Sequence, residues 1–404
     1  MILPFALWLA LVALLPHYAL PWWLRHYWKL ALLFAAVPAA YYLVALPSAA
    51  AQTVLRTGHD YFSFIVLIGS LYVVAGGIYV SMEGGGGSWH NVCFLAVGGL
   101  IANVLGTTGA AMLLIRPWLG FNRSRLAAHH VVFFIFIIAN IGGGLTPIGD
   151  PPLLIGYLEG VPFWWVARHC WLPWLAALAA LLAIFYIIDK RRGAPASGAA
   201  TDRMNFSGAP NLFFLAVIVA AVFISRPLRL REGLMLAAAA GSYCLTGRKI
   251  HELNQFHFGP ILEVAVIFFG IFATMMPALD WLRGNARVLL GSDPSPSLVY
   301  WTSGGLSSIL DSAPAYLAFA SALSGLHGDV ASLPARAAVH LAGLSIGTVF
   351  FGALTYVGNG PNLMVKAVAE QRGIRVPNFI QYVYKWAVPI LLPLLIIIDI
   401  VFLR

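Results

Sequence analysis

The chain has 404 residues, 60% of them hydrophobic and only 10% charged, with a formal net charge of +9 and a mean hydropathy of +0.85. A soluble domain carries about 25% charged residues, so this chain cannot cover a water-facing surface and has no room for a soluble catalytic module. The positive excess reads as anchoring to anionic lipid and setting orientation, not as a nucleic-acid footprint.

A spanning helix needs about 20 apolar residues. Such runs occur first at 2–20, 28–47 and 62–81. The run 2–20 lacks the basic start and Ala-x-Ala site of a signal peptide and is read as the first helix. The stretch 91–118 is apolar but broken at Gly106-Thr107-Thr108-Gly109, so a re-entrant hairpin fits better than a continuous helix. Further runs follow at 130–158 and 170–189. The hydrophilic stretch 190–210 is rich in Gly, Ala, Ser and Pro and reads as a flexible cytoplasmic linker. Beyond it come 211–225, 231–246 and 260–280, then 299–324, broken at Asp311-Ser312-Ala313-Pro314, then 338–369 and 386–403. The order helix, helix, helix, hairpin, long helix, helix is thus stated twice. The expectation is an all-α polytopic membrane protein of two inverted repeats, residues 1–189 and 211–404, with about ten spanning helices and two hairpins. A topology with both hairpins re-entrant puts most of the 24 Lys and Arg residues on one side, the expected cytoplasm.

Each long helix carries a motif. Leu145-Thr146-Pro147-Ile148-Gly149-Asp150-Pro151-Pro152 and Leu354-Thr355-Tyr356-Val357-Gly358-Asn359-Gly360-Pro361-Asn362 share the pattern Leu-Thr-x-x-Gly-[Asp/Asn]-x-Pro. Pro and Gly prevent a continuous helix, which predicts two half-helices around an unwound stretch. Irregular backbone at membrane depth survives where it is buried in protein or lines a cavity, and matched interruptions in two halves point to a transporter's site. The hairpin tips align too, with Thr107 opposite Ser312. Asp150 and Asp311 lie inside the motifs. A carboxylate at this depth is a functional candidate by default, and one that alternates between a proton and a cation can couple the two. Glu263 is a further proton-coupling candidate, for which a structural hydrogen-bonding role competes. Asp399, near the C-terminus, is expected to reach the interface.

Other residues receive blander readings. Cys93, Cys170 and Cys244 read as single buried hydrophobes. His129, His130 and His340 read as interface anchors. The run Gly84–Gly87 fits no phosphate loop. Gly343-Leu344-Ser345-Ile346-Gly347 matches Gly-x-Ser-x-Gly, but within an apolar helix it reads as close packing, not as the elbow of a hydrolase. An enzyme or a channel fits this sequence less well than a transporter.

With these residues in hand, the chain resembles the ion transporter superfamily of NhaD-type Na⁺/H⁺ antiporters, citrate transporters and divalent anion/sodium symporters. The motifs Thr-Pro-Ile-Gly-Asp-Pro-Pro and Thr-Tyr-Val-Gly-Asn-Gly-Pro-Asn are most similar to its NhaD-like and citrate-transporter-like branch. The resemblance covers roughly residues 60–400. It implies Na⁺ at Thr107, Asp150, Ser312 and Asn359, and the motifs and hairpin tips themselves add Thr108, Thr146, Asp311, Thr355 and Asn362 to the candidate binding set. It also implies elevator-type motion and a homodimer; the expected location is a bacterial inner membrane, crossed several times. The symporters' Ser-Asn-Thr tips are replaced here by Gly-Thr-Thr and Asp-Ser-Ala, and no Lys or Arg falls inside the four motifs. A cation is therefore expected as the transported species, by Na⁺(Li⁺)/H⁺ antiport, with no cofactor beyond Na⁺. The alternative is Na⁺- or H⁺-coupled transport of citrate or another small organic anion, which helix N-termini can bind without a basic side chain.

Overall fold

The computed structural model describes residues 3–45, 47–83, 87–192, 203–224 and 228–404. The first half runs α1 (Leu3–Tyr18), α2 (Leu20–Ala45), α3 (Pro47–Gly76), β1 (Tyr79–Glu83), α4 (Ser88–Phe121), α5 (Ala128–Ile137), α6 (Pro151–Leu158) and α7 (Trp165–Arg191). After β2 (Arg203–Ser207) come α8 (Pro210–Val222), α9 (Leu228–Leu245), α10 (Arg248–Leu253), α11 (Gly259–Gly284) and α12 (Ala286–Leu290). The chain closes with α13 (Pro296–Ile309), α14 (Ser312–His327), α15 (Leu333–Arg336), α16 (Ala338–Phe351), α17 (Gly360–Gln371), α18 (Phe379–Tyr382) and α19 (Val388–Phe402).

Among the described residues, five helical stretches, 52–76, 88–121, 165–191, 259–284 and 379–402, are long and apolar enough to cross a bilayer. A sixth appears if Val330–Arg336 and Ala338–Leu354, bent by 116°, count as one. Of the other expected spans, 130–158 and 338–369 are each divided by their motif.

The stretch Ser88–Phe121 is not one straight helix. It reverses at Gly106, whose φ of 75° lies where only glycine is unstrained. Its two ends then meet: Asn91 Nδ2 donates to Asn122 Oδ1 at 2.7 Å. In the second half α13 and α14 form the corresponding hairpin, turning at Leu310-Asp311. Each long motif helix is likewise in two pieces, α5 with α6 and α16 with α17, separated by a short 3₁₀ turn and irregular chain. The halves are interlocked: α14 packs on α6, and α17 packs on α4.

Two hydrophobic cores result. One is built from the hairpins, the broken helices, α7 and α19. The other joins α1–α3, α8, α9 and α11, and takes in Ile148, Leu154, Ala313 and Leu317 from the motif region. The motifs therefore lie on the seam between the cores.

Two features depart from the expectation. The run 62–81 ends as a helix at Gly76, and β1 pairs antiparallel with β2, Tyr79 opposite Ser207 and Glu83 opposite Arg203. Consecutive glycines stop the helix, and the Tyr and Val that follow suit an extended chain. The stretch expected to be a flexible linker thus contains a strand at 203–207, while 193–202 lies outside the described residues, as does most of the Gly84–Gly87 run. The cysteines are free, but only Cys170 is buried; Cys93 and Cys244 are exposed.

Candidate functional site

Each unwound stretch is held by the same devices. The Thr146 hydroxyl donates to Asn103 O at 2.5 Å and accepts from the Gly149 amide at 3.1 Å. Its counterpart, Thr355, donates to Ser308 O at 2.6 Å and accepts from the Gly358 amide at 3.0 Å. The ends of each stretch come together so closely that a Cβ on Gly149 would overlap Gly143 O, and one on Gly358 would overlap Gly352 O. Glycine at both ends of the motif is thus a packing requirement. Asn103 adds a bond from its amide to Gly142 O at 2.6 Å and takes the Leu145 amide on its oxygen at 3.0 Å.

The break leaves Asp150 at the N-cap position of α6 and Asn359 at the N-cap position of α17, both in extended conformation. Neither side chain caps its own helix. Instead they turn toward each other. Asp150 Oδ1 accepts from Thr107 Oγ1 at 2.7 Å and from Asn359 Nδ2 at 3.1 Å. Thr107 is the first residue past the Gly106 reversal, and its amide donates to Gly149 O at 2.7 Å. Asp150 Oδ2 is buried and has no hydrogen-bond partner among the described residues. Asp150 is 1% exposed, Thr107 1% and Asn359 2%. A cavity of about 30 Å³ adjoins them, walled by Leu67, Ile68, Leu71 and Tyr72 of α3 on one side and by Gly106–Gly109 and Pro147–Pro151 on the other. A water needs roughly 10–15 Å³, so the space takes one water or one small ion. Oxygen donors around it suit a hard cation.

Hence Thr107, Asp150 and Asn359 come together, and Thr108 lines the same cavity. Asp311 and Ser312 form the other tip. Asp311 caps α14, Oδ1 accepting from the Ala313 amide at 3.1 Å, and it lies within electrostatic range of Asp150. Ser312 is fully buried, its Oγ without a partner among the described residues. Thr146 and Thr355 spend their hydroxyls on the backbone bonds above. Asn362 is likewise engaged, donating to Gly352 O and Thr355 O and accepting from Asn140 at 2.7 Å. Glu263 is placed in α11 beside Trp23 and Tyr27 of α2.

The reading of His129 and His130 as interface anchors is corrected. Both are fully buried and face Asp189 at the end of α7, at 2.9 and 3.2 Å. Arg125 and Ser88 also meet this carboxylate, and Asn91 reaches it at 3.3 Å. The cluster clamps the base of the first hairpin to α7. Asp399 does the same in the second half: it is 2% exposed, not at an open interface, and binds Ser297 and Trp301 of α13. Asn103 and Asn140 also escaped the sequence reading, although an Asn inside an apolar run was the available signal. Ser345 lies within the continuous α16, without the strand–turn–helix elbow a nucleophilic serine requires.

Comparison with known sequences places this geometry in context. A family described as "Putative citrate transport" matches residues 1–403. Uncharacterized transporters of Mycobacterium bovis and Mycobacterium tuberculosis are each 23% identical to the chain over 385 residues, covering 86% of it and 89% of their own length.

Proposed function

We propose that this chain, which belongs to the citrate-transport family just described, is a cation-coupled secondary transporter whose Asp150 alternates between a proton and Na⁺ or Li⁺. That it is a multi-pass membrane transporter follows from the family and from its apolar helices; the cargo, and a place in a bacterial inner membrane, are our reading. One observation carries it: a buried carboxylate keeps one oxygen unpartnered beside a cavity of single-ion size, with Thr107 and Asn359 on the other oxygen. A lone charge removed from water is unfavourable unless paired, and a proton or a cation is what pairs it. Among the described residues, no Lys or Arg lines that cavity to hold a carboxylate cargo.

Movement of the site between the two sides is assigned to sliding at the seam between the cores, in the manner of an elevator. The cores have separate interiors, and α3 presents apolar side chains to the site, which a sliding surface can exchange without stranding polar groups.

In proteoliposomes, an Na⁺ pulse should dissipate an imposed pH gradient, and Asp150→Asn should abolish the response. Robust citrate uptake by the wild type without such exchange would overturn the antiport reading. A second reading, carriage of a small organic anion with Asp150 as the coupling site, draws on the family description and on three helix N-termini, those of α6, α14 and α17, that lie at the motifs. Thermal stabilisation by citrate or succinate, absent with Na⁺ alone, would favour it.

A further inference from the structure

Two neighbouring hollows lie outside the ion cavity, the first meeting it at Leu105. The first is an apolar groove of about 650 Å³ along the outer face of the first hairpin. Its floor is a stripe of α4, namely His90, Cys93, Phe94, Val97, Ile101 and Val104, spaced as one helical face. Its opposite wall comes from Leu212 and Leu215 of α8 and Phe206 of β2. Val97, Val104, Phe206 and Leu212 are 53%, 43%, 45% and 48% exposed. In a spanning protein such side chains face acyl chains rather than water. The second hollow, about 1420 Å³, lies at the base of the same hairpin and is lined by Arg116, Arg123, Arg192, Arg372 and Arg375, with no Asp or Glu among the described residues around it. The two share a wall, Val80 and Met82 of β1.

We propose that these hollows together hold one anionic phospholipid, an acyl chain in the groove and the phosphate among the arginines. The dimensions agree. Residues 90 to 104 span about 21 Å at 1.5 Å per residue, against roughly 15 Å for one leaflet of hydrocarbon. The charges agree as well: arginine forks bind phosphate oxygens bidentately, and a basic pocket between spanning helices is where an anionic headgroup is expected. A soluble anion would use the arginines but not the groove. A second copy of this chain docked through the same hollow would set arginines against arginines, because no Asp or Glu is among the described residues that line it. The site bridges α4, whose buried side belongs to one core, and α8, which belongs to the other, so the lipid would lie across the seam.

The test uses the purified full chain in neutral detergent and needs no transport assay. Phosphatidylglycerol should raise the melting temperature by several degrees and be retained at one molecule per chain in native mass spectrometry. Phosphatidylcholine, inorganic phosphate and citrate should each fail to do so. Val97→Trp, which fills the groove, and the pair Arg123→Gln/Arg375→Gln, which removes charge from exposed positions, should each cut the shift by more than half. If Val97→Trp lowers the baseline stability, the arginine pair alone decides. Equal shifts with phosphatidylcholine would overturn the proposal. So would a full shift from phosphate or citrate, which would mark a soluble-anion site, or an undiminished shift in the arginine pair. Conversion to dimers on delipidation would assign the groove to a second copy instead.

Discussion

Replacing Asp150 by Asn separates the charge from the shape of the site. The amide oxygen can keep both bonds now made to Oδ1, from Thr107 at 2.7 Å and Asn359 at 3.1 Å. Relative to the ionised carboxylate, each weakens from a charged to a neutral hydrogen bond, about 1 kcal/mol apiece. Without a cation the wild-type carboxyl holds a proton, so Asn replaces a neutral group of the same shape and the ion-free variant should be about as stable as the wild type. Ion binding should respond in the opposite direction. At an effective dielectric constant of about 20, a cation roughly 2.4 Å from a carboxylate gains about 7 kcal/mol before dehydration. A net loss of about 2–3 kcal/mol, the scale of one charged hydrogen bond, weakens binding roughly 30- to 140-fold. At an Na⁺ concentration about 100 times the wild-type Kd, the ion stabilises the wild type by about 2.7 kcal/mol, and the variant by only about 0.3–0.9 kcal/mol. Melting curves over a series of NaCl concentrations, with choline chloride as the control, read this directly. An unchanged Na⁺ midpoint in Asp150→Asn would refute the assignment of the charge to ion binding. A large loss of ion-free stability would show instead that the carboxylate is a structural brace.

Further expectations follow from the same structure. Gly149→Ala drives a Cβ into Gly143 O and should lower stability by about 1–3 kcal/mol, whereas Gly69→Ala, whose Cβ would stand 3.6 Å from Ile261, should melt like the wild type. Asp189→Ala strands Arg125 and the two buried histidines at the hairpin base and should cost about 3–5 kcal/mol in denaturant titration. The pair Arg56–Glu159, 2.9 Å apart across the seam with Arg56 largely exposed, should contribute under about 1 kcal/mol. Arg56→Ala should therefore leave the melting temperature nearly unchanged, and any effect should appear in the transport rate.

What the sequence made legible was the part in which local chemistry and position coincide. The break at Gly106-Thr107-Thr108-Gly109 fitted a hairpin better than a continuous helix, and the two Leu-Thr-x-x-Gly-[Asp/Asn]-x-Pro stretches were expected to unwind, because Gly and Pro weaken or break a helix. That Asp150 and Asn359 stand at equivalent places in two repeats was readable from alignment. That they touch was not, since contact depends on how the halves interlock. Thr146 and Thr355 carry the same side-chain chemistry as Thr107, yet a tight loop turns their hydroxyls onto the backbone. Sequence offers no means to separate a hydroxyl that faces a cavity from one that closes a turn. His129 and His130 resembled interface residues because their partner, Asp189, is 60 and 59 positions away. The β1–β2 ribbon was hidden for a similar reason: five-residue strands pair across more than 100 residues, and β2 lies in a hydrophilic stretch that read as a linker.

The contact between Asp150 and Asn359 also limits how much charge the crossing can hold. Two carboxylates about 3 Å apart do not both ionise; one keeps a proton shared between them. Had both repeats kept an acid here, the crossing would be a proton store that releases one charge reluctantly. With an amide on one side, the pair offers a single carboxylate and a donor oriented to it. The repeats are therefore alike as scaffolds and unlike as electrolytes, and under the proposed mechanism this crossing would carry at most one formal charge.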